Sequence, residues 1–247
     1  MKKFKNGFLL ILFSWFAGAV IAQTSTERKL SWDYPVKPGT ERWERHTTTQ
    51  ERVADVQVPR EVLTALSTED LTYVCLENPL MGSLFVYSPY DRGLDTLFVR
   101  YNCFRELLHR KDVIKGLLNW YNDAMQNLSF LNGNASDVQK GKIVRKIAVT
   151  TLLFNRCQMP DISKTETLKE ILKQLCYGYE KMLTYPDFFG SASFEANYFT
   201  RAKIIIHLDE KFLEKIPSKE KNAVFVTGKY DEQTKLIIDD LSLQLIK

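Results

Sequence analysis

The chain has 247 residues, 45% hydrophobic and 26% charged, with 34 basic and 30 acidic side chains for a formal net charge of +4. That length suits one large domain or two small ones and leaves room for a sizeable core. The small surplus, with no long Lys/Arg run, argues against a nucleic-acid binder, which concentrates positive charge on one face.

The chain opens MKKFKNGFLLILFSWFAGAVIAQ, with Lys2, Lys3 and Lys5 ahead of an apolar run from Phe8 to Phe16 and small residues leading to a cut after Ala22. This is the pattern of a secretory signal. Its apolar run is shorter than the roughly 20 residues of a spanning helix, so residues 1–22 are expected to be removed, leaving no membrane span. Cleavage would take away three lysines and no acid, which lowers the formal net charge from +4 to +1. The expected location is periplasmic, cell-surface or secreted.

Residues 23–48 read as an extended polar arm in which Pro35, Pro38 and Gly39 accompany Trp32, Tyr34 and Trp43. These three aromatics either pack back onto the domain, as large apolar side chains gain by doing, or form a ligand platform. They are the ligand-binding candidates of the sequence. Residues 49–247 read as a single α-helical domain. Pro59 suits the first turn of a short helix. Ser67 or Thr68 caps a second, with Glu69 and Asp70 in its first turn where the helix dipole favours acids, and Pro79 stops or restarts it.

Leu94, Leu97, Phe98, Tyr101, Phe104, Leu107 and Leu108 recur at steps of three or one, predicting one amphipathic helix. Asp112 is placed to cap the next, whose Ile114, Leu117, Leu118, Tyr121 and Met125 share a face. A loop is expected at Asn132, Gly133 and Asn134, then a helix through Ile143, Val144, Ile147 and Thr151 that stops near Pro160. The clearest helix starts at Ser163, where Ser163 and Glu166 form a capping box, and carries Leu168, Ile171, Leu172, Leu175, Tyr179 and Met182. Ser193 to Leu208 reads as helix despite the β-branched run Ile204–Ile206. Ala223 to Thr227 has strand composition, and Ile237, Leu241 and Leu245 predict a last helix. The fold class is mainly α, an irregular multi-helix bundle or stacked helical hairpins, with a short strand near the C-terminus as an option.

Export would place Cys75, Cys103, Cys157 and Cys176 in a compartment where disulfides persist. Four cysteines admit three pairings, and buried unpaired thiols on apolar helix faces are the other reading. No CxxC pair, compact histidine motif, nucleophile elbow or phosphate loop occurs, so neither a metal nor a cofactor is expected. His109 reads as a helix-end residue, and the acid pairs Glu69/Asp70, Asp209/Glu210 and Asp239/Asp240 as solvated faces.

VPREVLTALSTEDLTYVCLENPL, followed by NCFRELLHRKD at Asn102–Asp112, resembles exported proteins of Bacteroidetes that have no known function. The resemblance spans about the first half of the mature chain. It implies a bacterial envelope or secreted setting and assigns no catalytic residue. The expected function is non-catalytic binding of a protein or envelope component. The alternatives are an exported hydrolase whose site gathers dispersed acids with His109 or His207, and a structural partner in a larger surface complex.

Overall fold

A computed structural model describes residues 32–87, 89–156, 165–221, 224 and 228–247. Among these, helices and the turns between them build the whole fold, and no strand is present. The expected signal, the expected Ser163 cap, Cys157 and most of the Ala223–Thr227 segment lie outside the described residues.

In chain order the helices are α1 (Glu41–Glu44), α2 (Thr49–Asp55), α3 (Arg60–Ala65), α4 (Thr68–Leu76), α5 (Tyr90–Arg100), α6 (Asn102–His109) and α7 (Val113–Gln126). They continue as α8 (Asp137–Leu153), α9 (Thr165–Leu183), α10 (Ser191–Leu208), α11 (Phe212–Lys215) and α12 (Glu232–Leu245). Short 3-10 turns occupy Met81–Val86 and Leu128–Asn132. Side-chain caps start several helices by satisfying backbone N–H groups that have no partner inside the helix. Thr48 with Glu51 and Ser136 with Gln139 form complete capping boxes, and Ser67 accepts from the Asp70 N–H as expected.

The helices form two groups sharing one core. In the first, α4 packs on α6 and α7, and α5 packs on the Met81–Val86 turn. In the second, α10 packs on α8, α9 and α12. α7 joins them by touching α8 and α9. α10 is the central element: every residue from Ala196 to Ala202 is buried. A helix covered on all sides has no use for a polar stripe, and burial of Ile204 and Ile205 outweighs the weak helix preference of the β-branched run. At Gly93 a Cβ would lie 2.4 Å from the Leu84 carbonyl oxygen, so only glycine lets α5 sit this close to the 3-10 turn.

Two expectations need correction. The stripe from Leu94 to Leu108 is not one helix, because Tyr101 is extended (φ −118°, ψ 118°) and separates α5 from α6. Gln57 supplies the hydrogen bonds that a continuous helix would have made: its Nε2 donates to the Arg100 carbonyl at 3.0 Å and its Oε1 accepts from the Asn102 N–H at 3.1 Å. Asn102 then clasps both backbone groups of Val58, at 3.0 and 2.7 Å. Asp112 makes no side-chain cap on α7. Its carboxylate accepts instead from the Thr68 hydroxyl at 2.5 Å, tying the start of α7 to the start of α4.

Candidate ligand-binding cleft

Four segments meet around an open cleft of about 480 Å³, within the usual size of small-molecule sites. α9 brings Tyr179 and Leu183, four residues apart on one face. α10 brings Ser191, Phe194, Glu195 and Tyr198 at helical spacing, the Gly228–Tyr230 segment closes one side, and Lys235 reaches in from α12. Gly228 has a left-handed φ of +70°, and a Cβ there would lie 2.2 Å from the Glu195 carbonyl oxygen. Its lack of a side chain lets this segment lie directly against α10.

The walls are aromatic and interlocked. Tyr179 meets Phe194 and Tyr198 edge-on at centroid distances of 5.6 and 5.2 Å, and Tyr198 meets Tyr230 at 6.5 Å. Such T-shaped pairs add stabilisation beyond simple burial. Behind them lies Arg201, only 2% exposed. Its guanidinium pairs with Asp239 at 2.8 Å, donates to the Ser242 hydroxyl at 2.8 and 3.1 Å, and stands over the rings of Tyr198 and Tyr179. A buried charge with paired donors fixes geometry at the cost of desolvation.

The Tyr198 hydroxyl has Tyr179 Oη at 3.0 Å and Asp239 Oδ2 at 3.1 Å as acceptors. Burial, then the Tyr179 hydrogen bond and the Asp239 charge, push its ionisation far above the usual tyrosine range. Burial does the same to Tyr230, and the Glu220 charge adds to it. Both hydroxyls therefore stay protonated at neutral pH and act as hydrogen-bonding groups rather than bases. At the cleft edge Glu195 accepts from Tyr90 at 3.3 Å, and Lys235 pairs with Glu232 at 2.6 Å. Tyr198 and Tyr230, 4% and 6% exposed, back the wall, so the surface open to a ligand is that of Tyr179, Leu183 and Phe194 beside a carboxylate and two ammonium groups, which suits a ligand with apolar faces and polar edges.

No family model, curated protein or solved structure matches the chain.

The residues singled out in the sequence lie elsewhere. Tyr34 and Trp43 are buried at 2% and 7% exposure, and Trp32 packs edge-on against Tyr34 at 4.7 Å. The aromatic arm thus belongs to the core and does not present a row of open ring faces, because Arg52 also stands over Trp43. Cys75 and Cys103 are buried free thiols, and Cys176 is a half-buried one.

The histidines of the hydrolase alternative are separate. His109 Nδ1 faces the Arg105 carbonyl at 2.7 Å, a helix-end contact, and His207 is exposed in the last turn of α10. His46, which the hydrolase alternative leaves out, is the histidine that meets a carboxylate: its Nε2 lies 2.6 Å from Asp55, which also holds Arg42. That group clasps α1 to the end of α2. Sequence reasoning missed Phe194, Tyr198, Tyr230, Arg201 and Asp239. The one available signal was the i, i+4 pairing of Phe194 with Tyr198. Nothing local tells that Asp239 leaves the solvated face to meet Arg201.

Proposed function

We propose that this chain is an exported, non-catalytic binding protein of the bacterial envelope that holds an envelope component in the cleft between α9, α10 and α12. The observation that carries the reading is the interlocked wall of Tyr179, Phe194, Tyr198 and Tyr230, backed by the buried Arg201 and its partly exposed partner Asp239. Preorganised aromatic surface binds at low entropic cost, since few rotamers remain to be frozen. The charged leader, its apolar run and the small residues before Gln23 support the location.

Two measurements test the two halves of the reading. In fractionated host cells, the mature protein should carry Gln23 as its first residue and be found outside the cytoplasm. A cytoplasmic protein that keeps Met1–Ala22 contradicts export. In calorimetry against soluble polysaccharide and peptide fractions of that envelope, the wild type should bind one of them. Phe194→Ala should weaken binding about tenfold or more, equivalent to about 1.4 kcal/mol. Phe194 is half-buried at the wall, so its loss leaves the core of α10 in place. Binding by neither fraction, or equal binding by the variant, contradicts the cleft.

A further inference from the structure

Cys75 in α4 and Cys103 in α6 are both fully buried, on helices that pack directly against each other. One oxygen, the Tyr34 hydroxyl, reaches both: it bonds the carbonyl of Val74, the residue before Cys75, and touches the Cys103 sulfur. Cys103 is the centre of a built polar cluster. The Tyr34 hydroxyl lies 3.5 Å from its Sγ, and Asn78 Nδ2 donates to the same sulfur at 3.9 Å. Tyr34 comes from the arm, and its hydroxyl also bonds the Val74 carbonyl at 3.1 Å, so the arm seats itself across the sulfur pair. Cys176 lies in another helix, half-buried on α9.

We propose that Cys75 and Cys103 close to a disulfide when the chain folds in an oxidising medium, fastening α4 to α6 beneath the arm. The proposal rests on the export reading for its setting alone; the burial of both thiols on packed helices beneath Tyr34 stands without it. The co-reactant is a disulfide, of a small thiol or of an oxidoreductase. Either thiolate can open the exchange, and the product is the same.

Starting at Cys103, the thiolate attacks one sulfur of the co-reactant, forming a mixed disulfide and expelling one thiolate. Cys75, losing its proton, then attacks the Cys103 sulfur and expels the second thiolate. Two protein thiols and one disulfide become one protein disulfide and two free thiols, the two protons leaving on the released thiols. Both sulfurs are sealed in the finished fold, so the exchange belongs to the stage before the arm closes. Tyr34 then covers the product.

The test uses the reduced full chain, refolded in mixed oxidised and reduced glutathione, alkylated without reductant and mapped by peptide mass spectrometry. The expected product links the peptides of Cys75 and Cys103, leaves Cys157 and Cys176 alkylated, and melts at a higher temperature than the reduced form. Four alkylated cysteines, or a bridge from Cys103 to Cys157 or Cys176, overturn the proposal. Mapping is done on the wild type, so no variant has to fold. Because the medium is supplied in the tube, the result is separate from that of host fractionation, which alone bears on export.

Discussion

The Tyr34 hydroxyl shows how much of this fold depends on single polar atoms placed in apolar surroundings. It donates to Val74 O, accepts from Asn78 Nδ2 at 3.4 Å and touches Cys103, so three separated segments meet on one oxygen. Burial, then the two cysteines, hold its ionisation well above the usual tyrosine range. Tyr34→Phe keeps the ring and leaves Asn78 Nδ2 with only its weak contact to the Cys103 sulfur in a dry site, with an expected cost of about 1–3 kcal/mol, measured by denaturant unfolding of the reduced chain. An unchanged midpoint would mean that the arm is held by ring burial alone. From the sequence, Tyr34 was legible as an aromatic that gains by burial. Its partners lie 40 or more residues away and leave no mark near it.

At the scale of the element, local signals were legible where the cause was local and failed where a distant side chain decided the outcome. The stripe of α9, the Ser67 cap of α4 and the faces of α7 and α12 follow from spacing and capping within a few residues. The break at Tyr101 does not, because the bonds that stabilise it come from Gln57, and both halves keep the apolar periodicity of one helix. Asp112 has good capping chemistry, yet Thr68 takes its carboxylate.

The start of α12 gives a pH-dependent test. Asp231 caps it through the Thr234 N–H at 2.9 Å and pairs with Lys219 at 2.9 Å. The Lys219 hydrogen bond, followed by that of Thr234, lowers its ionisation to about 2. An unfolded aspartate titrates near about 3.9. A lowered folded value means that the contribution is fully present above pH 4 and is lost as pH falls towards 2. In acid unfolding followed by circular dichroism, Asp231→Asn keeps a competent cap and should lose much of the wild type's pH dependence in that window. Equal curves for the two proteins would contradict the Lys219 pairing.

For the whole molecule, the mainly α class was legible because helical periodicity recurs along the chain, while the meeting of α9, α10, α12 and the Gly228–Tyr230 segment was not, since each contributes only one to four residues to the cleft. Among the described residues no helix is long and apolar enough to cross a membrane. The described part of the arm, through Tyr34, Val36 and Trp43, joins the same core as the helices after it. The arm therefore completes the fold, and the interlocked aromatic cleft is the surface on which the functional account rests. Hydrogen exchange on the protein bound to its envelope fraction tests that account most directly. It predicts slowed exchange confined to residues 179–198 and 228–235; protection centred on α2, α5 or α6, or no protection on binding, contradicts it.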